Sequence, residues 1–327
     1  MEFYRKKQDY SQYDDYKIAC MDLEIILTQK CNLSCEHCMR GDCMGKEISE
    51  EVLDALFKKV IYIENLALGG GEITLVPEKI KLLVEKLKKH KIIVHHANFT
   101  TNGTVVSEAV LDALAELRTY VESCEEQPHL FIAPKDEQNI PLFACFSFDD
   151  YHLNQIIERG ITIEELFKNI AKYQQRFGDD AIQCRLECDM DFYDEGRAKL
   201  LPASDHKVSM QKVLSEPYPF IDYETKKFLL LGNVPCVTCE GNIVPVNISF
   251  ASEKAFSFGN IVTDSTSQIL SNMNALKTDN KGYDRAREKL YKAMTAPKHL
   301  QKQYRPMLSE KQRIFFRNLA IVLQEMQ

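Results

Sequence analysis

From residue 22 to residue 118 the apolar positions switch repeatedly between a strand pattern and a helical one. Residues 22–28, Asp-Leu-Glu-Ile-Ile-Leu-Thr, read as a strand. After Ser49, the side chains of Val52, Leu53 and Leu56 share one face, which predicts a helix with Ser49 as its N-cap. Leu66, Ala67 and Leu68 read as a short buried strand running into Gly69, Gly70 and Gly71. Ile80, Leu83, Val84 and Leu87 recur at helical spacing between Pro77 and Lys89, and Ile92, Ile93 and Val94 open the next strand. Ser107 to Leu117 reads as a further helix. Strands alternating with helices over short connections imply parallel strands joined by right-handed crossovers, hence an α/β fold.

Residues 119–141 contain prolines and several acids and read as a surface insertion. Beyond it, Leu142 to Asp149 is predicted as a strand, Ile163 to Phe177 as a helix and Ala181 to Asp189 as a strand. The pattern changes around Phe228 to Leu231, and two short runs flanking Glu240, Gly241 and Asn242 predict a β-hairpin. From Asp284 the chain reads as helical and carries ten Lys/Arg against four Asp/Glu, so this tail is +6 in a chain of net charge −7. Three segments result: an N-terminal extension over 1–20, a main domain over 21–230, and a hairpin with a basic helical tail over 231–327.

Composition narrows the function classes. With 45% hydrophobic and 27% charged residues, the chain is neither disordered nor fibrous. No apolar run reaches the eighteen or so residues of a membrane span, and the charged N-terminus leads into no apolar stretch. A soluble, cytoplasmic protein is expected. The acidic balance argues against bulk binding to nucleic acid. Eleven cysteines, an odd number, exclude a fully paired disulfide framework and point to metal or catalytic use.

Cys31, Cys35 and Cys38 follow the first strand with the spacing C-x3-C-x2-C. Three thiolates on one loop can hold three irons of a [4Fe–4S] cube and leave the fourth iron without a protein ligand. A single zinc ion is the competing occupant, and it would need His37 or Cys43 as a fourth ligand.

The stretch Thr28-Gln29-Lys30-Cys31-Asn32-Leu33-Ser34-Cys35-Glu36-His37-Cys38 resembles the cluster loop of the radical S-adenosylmethionine (SAM) superfamily. Gly69-Gly70-Gly71-Glu72 is similar to that family's GGE motif, although Ile73 stands where proline is common. Thr101-Asn102-Gly103 resembles its TNG, and Phe146-Ser147-Phe148-Asp149-Asp150-Tyr151-His152 its fourth-strand motif. The resemblance covers roughly residues 20–260 and implies a partial (β/α)6 TIM-like barrel. It implies a [4Fe–4S] cluster whose open iron is chelated by SAM, and one-electron cleavage of SAM to a 5′-deoxyadenosyl radical that abstracts hydrogen from substrate. Carried over residue by residue, it implies Cys31, Cys35 and Cys38 as iron ligands and His37 beside the adenine. Glu72 would accept from the SAM ammonium, Gly70, Gly71 and Asn102 would shape the seat, and Ser147, Asp149 and Arg159 would contact SAM. A flavodoxin- or ferredoxin-type electron donor is implied as a partner.

Period-two alternation assigns the remaining faces. Ser147 shares a face with Cys145, Phe143 and Asp149, so Cys145 is either a core cysteine low in the barrel or, by resemblance to peptide epimerases, a hydrogen-atom donor facing the lumen. In strand 181–189 the polar set Gln183, Arg185, Glu187 and Asp189 should face substrate or SAM, while Cys184 and Cys188 are expected in the core. His95 and His96 are consecutive, face opposite sides and read as structural.

Cys236-x2-Cys239 followed by Gly241 resembles the hairpin of SPASM or twitch extensions. Val246 occupies the next expected cysteine position, so no auxiliary cluster is expected; a zinc or redox pair and a structural remnant stay open. The substrate implied is a peptide first, a small-molecule metabolite second and a glycyl-radical enzyme third. The non-enzymatic alternative is a zinc-stabilised binding protein.

Overall fold

The computed structural model describes residues 11–127, 129, 140–185, 192–201, 207–208, 220–223, 227–231 and 235–275. Strands β1 (Lys17–Thr28), β2 (Val60–Gly70), β3 (Ile93–Thr101), β4 (Leu142–Ser147) and β5 (Ile182–Arg185) lie side by side in that order, each parallel to the next. Helices α1 (Glu50–Lys59), α2 (Pro77–His90) and α3 (Glu108–Glu122) make the first three crossovers, and α4 (Asp150–Glu158) with α5 (Ile163–Phe177) makes the fourth.

Local chemistry sets the helix starts. The hydroxyls of Ser49 and Ser107 accept from the backbone N–H groups of Val52 and Val110, and Thr162 with Glu165 forms a reciprocal capping box before α5. One face of the sheet is apolar in register: Leu23, Leu66, Ala97 and Leu142 form one row, and Ile25, Leu68, Phe99 and Ala144 the next. These rows are buried with Leu53, Leu83, Val84, Leu114 and Tyr173 of the helices. The opposite face carries Glu24, Asn98, Thr100, Cys145 and Ser147, and opens toward the C-terminal strand ends.

Several elements differ from the sequence expectation. β2 begins at Val60, directly after α1, because no turn residue separates Lys59 from the apolar run Val60-Ile61-Tyr62-Ile63. The strand expected to reach Asp149 ends at Ser147, since the Asp149 carboxylate caps α4 by accepting from the His152 N–H. Cys184, expected in the core, is exposed: it faces outward on β5 in register with Phe146, and no described residue covers it. Glu187, Cys188 and Asp189, and the tail from Asp284, lie outside the described residues.

Two short strands, β6 (Phe192–Tyr193) and β7 (Lys207–Val208), pair with each other. β8 (Phe220–Tyr223) runs antiparallel to β9 (Phe228–Leu231), and β9 lies parallel to the first part of β1. The predicted hairpin, β10 (Pro235–Val237) and β11 (Asn242–Pro245), joins the same sheet through β10 and the middle of β1, and β12 (Gly259–Asn260) follows as its edge. The sheet runs from β12 to β5 without closing, a partial barrel of TIM-like type. Helix α6 (Thr266–Ala275) ends the described chain.

A buried ion pair sits at the junction of hairpin and barrel. The Arg40 guanidinium binds the Glu24 carboxylate and donates to the Ile248 carbonyl at 3.0 Å. Removing one partner strands the other's charge, so Arg40→Met is expected to cost about 3–5 kcal/mol in denaturant unfolding. Adding Glu24→Met should recover part of that loss; a double variant as unstable as the sum would count against the pairing.

Candidate active site

The loop after β1 turns back on itself. The Gln29 N–H donates to the Lys46 carbonyl at 2.7 Å and the Ile48 N–H to the Leu27 carbonyl at 2.9 Å, which closes a loop holding every residue of the cysteine motif. Cys31, Cys35, His37 and Cys38 all line a cavity of about 380 Å³ at the C-terminal ends of β1–β4, within the size range of small-molecule sites. Cys43, considered in the sequence only as a helper to zinc, also lines it; its thiol lies 3.5 Å from the Cys31 carbonyl.

Backbones meet closely across this loop and the end of β2. The Gly71 N–H donates to the Thr28 carbonyl at 2.9 Å and the Glu72 N–H to the Lys30 carbonyl at 2.8 Å. A β-carbon on Gly71 would lie 2.1 Å from the Lys30 oxygen, so only glycine fits.

Glu72 is buried and its carboxylate accepts four hydrogen bonds. One oxygen accepts from the Thr74 N–H, the Thr74 hydroxyl and the Thr101 hydroxyl; the other accepts from the Asn102 N–H at 2.8 Å. It thereby ties the glycine turn to the end of β3. Burial pushes its pKa up, and these donors oppose the shift. Glu72→Gln puts an N–H₂ group against these donors and should cost about 1–3 kcal/mol by thermal or denaturant unfolding; an unchanged stability would show the network to be dispensable. Asn102 extends the tie to the cysteine loop, its side-chain N–H donating to the Asn32 side chain at 2.9 Å.

Ser147, Asp149 and Arg185 line the same cavity. Asp149 accepts from the His152 backbone N–H at 3.1 Å, its second oxygen lies 2.7 Å from His152 Nδ1, and His37 Nε2 is 3.6 Å away. Burial works against its ionisation, yet the two histidines outweigh burial and hold the carboxyl well below the ordinary range. One face of the His37 ring stacks on Tyr151, with centroids 4.6 Å apart.

Two expected residues are placed elsewhere. Arg159 caps the exposed end of α4 and does not line the cavity. Cys145 is buried beside Arg185 one step lower on β4; burial raises its thiol pKa, with Arg185 acting the other way. Conversely, the cavity is lined by Asn98, Thr100, Arg197, Asn247 and Phe250, none singled out from the sequence. Asn98 and Thr100 were within reach of the alternation rule, since they face opposite to Ala97 and Phe99. Arg197 had no local signal.

The donor set fits a cluster better than one ion. Among the described residues, the groups of three ligating side chains converging within 4.8 Å are His37–Asp149–His152 and Glu64–His95–His129; the three loop thiols stand farther apart. Burial pushes the Cys31 and Cys35 thiols up to about 12, so binding iron would displace protons.

Residues 25–182 match the family model of the Radical SAM superfamily. A probable GTP 3′,8-cyclase of Methanothermobacter marburgensis is 25% identical over 168 residues, covering 47% of this chain and 54% of that protein. Its counterpart in Methanothermobacter thermautotrophicus is 25% identical over 163 residues, covering 45% and 52%. The chain spans about half the length of the curated relatives it matches. Among solved structures, native anSMEcpe with bound AdoMet and the Cp18Cys peptide aligns with a TM-score of 0.45 at 14% identity, over 94% of this chain and 99% of that one. Streptococcus suis SuiB bound to precursor peptide SuiA aligns with a TM-score of 0.35 at 13% identity, over 84% and 68%.

Proposed function

We propose that this chain, a radical SAM enzyme, abstracts hydrogen from a peptide substrate held over the open face of its partial barrel, in the cytoplasm. The observation that carries the reading is the single cavity wall on which the C-x3-C-x2-C thiols, the glycine turn and the ends of β3 and β4 come together. In this family a [4Fe–4S] cluster and SAM, when bound, supply the one-electron cleavage that yields a 5′-deoxyadenosyl radical.

The chain's own residues have separable roles. Cys31, Cys35 and Cys38 would hold three irons of that cluster. Gly70 and Gly71 bring backbone within reach of a ligand without side-chain obstruction, and Glu72 and Asn102 fix that turn against the loop. Ser147 and Asp149 present polar groups to the cavity, with Asp149 held ionised by His152 and His37. Cys145 lies one step below the lining residue Ser147 on the same face of β4, so a hydrogen-donor role would require the substrate to reach below the cavity floor. The hairpin region contributes Asn247 and Phe250 to the cavity lining, so the site is not built by the barrel strands alone. Arg185 and Arg197 at the same cavity favour a second reading, an anionic small molecule, in line with the GTP 3′,8-cyclase names of the relatives.

The test is anaerobic reconstitution followed by incubation with SAM, dithionite and either candidate peptides or nucleotides. Substrate-dependent 5′-deoxyadenosine with a peptide supports the first reading. The same response to nucleotides alone would replace it with the second, and no 5′-deoxyadenosine under any condition would reject both.

A further inference from the structure

Residues 195–197 reach across the molecule and grip the cysteine loop. Gly196 has φ +57°, and a β-carbon there would lie 2.4 Å from the Met39 oxygen and 2.5 Å from the Cys38 oxygen, so no other residue allows this approach. The Arg197 backbone N–H donates to the Cys38 carbonyl at 2.9 Å. Its side chain spans the rest of the loop: Nε donates to the Cys35 carbonyl at 2.9 Å, and Nη1 to the Gly41 carbonyl at 2.8 Å and to Asp42 at 2.9 Å. On the other side Glu195, buried, accepts from the hydroxyls of Ser249 at 2.6 Å and Ser252 at 2.9 Å. The segment is a staple between the cysteine loop and the hairpin region.

Arg197 also lines the cavity, so its charge is fixed on the same cavity that Cys31, Cys35 and Cys38 line. The potential of an iron–sulfur cluster follows the charge and hydrogen bonding around it. A fixed cation favours the form carrying one more electron. The planar fork of arginine is what allows one side chain to serve two carbonyls at once, which lysine does not reproduce.

We propose that Arg197 is a positioning residue for the cluster loop, and that its charge favours the reduced state of the cluster bound there. This rests on the cluster reading above. Wild-type protein that takes up no four-iron cluster refutes that reading itself, whereas a normal wild type with an indifferent Arg197 refutes only this inference.

The test uses full-length protein, reconstituted anaerobically, as wild type, Arg197→Gln and Arg197→Lys. Iron and sulfide content, circular dichroism and a dithionite potentiometric titration followed by EPR are read for each. Arg197→Gln is expected to lower the reduced-to-oxidised ratio at fixed potential about tenfold, a midpoint shift of about 59 mV downward for one electron. Arg197→Lys should keep the midpoint near wild type while holding less iron. If Arg197→Gln folds but loads poorly, better loading by Arg197→Lys supports the proposal. A loaded Arg197→Gln with the wild-type midpoint overturns it. So does an Arg197→Lys variant no better than Arg197→Gln in both iron and midpoint.

Discussion

Cys35→Ala should lose its cluster and, with it, all SAM-dependent 5′-deoxyadenosine formation. Cys35 is the buried middle member of the trio, and its carbonyl accepts from Arg197 Nε. Outside the trio, the cysteine nearest in sequence is Cys43, which is exposed and whose thiol lies 3.5 Å from the Cys31 carbonyl. Even partners that merely orient a metal ligand are worth about 10–100-fold in affinity or activity, so loss of a ligand should exceed roughly 100-fold. Iron and sulfide analysis with product chromatography reads both effects. A variant with wild-type iron and wild-type SAM cleavage would remove Cys35 from the cluster.

Gly71→Ala should damage the cluster site more than any other change considered that leaves every ligand in place, because it acts on the cysteine loop itself. Its β-carbon would meet the Lys30 oxygen at 2.1 Å and the Lys30 carbonyl carbon at 2.6 Å, both backbone atoms that cannot swing aside. Relief requires moving Lys30 and Cys31, and hence one of the three thiols. A destabilisation of about 3 kcal/mol is expected, since strained backbone contacts are among the few causes of losses that large. SAM affinity should fall with it. Calorimetry and SAM titration check the pair; a stable variant that binds SAM normally would mean the two backbones are not held together as described.

The sequence was most informative where chemistry and spacing coincide within a short window. The C-x3-C-x2-C loop, the glycine turn and Asn102 could be read because each follows a strand, and parallel strands bring their C-terminal ends together. The helix start at Ser49 was legible from a capping hydroxyl next to a periodic run, whereas Ser107, read as the first helical residue, is itself the cap. Asp149 was harder. Its alternation with Ser147 suggested a continuing strand, whereas its carboxylate caps the next helix, a competition between pattern and capping that the tertiary contact with His37 helps decide. Arg197 was illegible, because the Cys35 carbonyl it binds is 162 positions away and carries no side-chain signature. Cys184 shows the limit of alternation, which gives the face of a strand but not whether anything covers it. The sequence also suggested Glu72 as an acceptor for the SAM ammonium; in the folded chain it lines the cavity and also accepts from Thr74, Thr101 and Asn102, a network that no single motif announces.

The central claim is that three thiols, and no fourth protein ligand, hold the cluster. EPR of the dithionite-reduced, reconstituted protein with and without SAM, alongside a Cys43→Ala variant, tests it most directly. The account predicts about four irons per chain, a reduced-cluster signal that changes on adding SAM, and a Cys43→Ala protein that behaves like wild type. A signal indifferent to SAM, or one that loses an iron ligand when Cys43 is replaced, would contradict it.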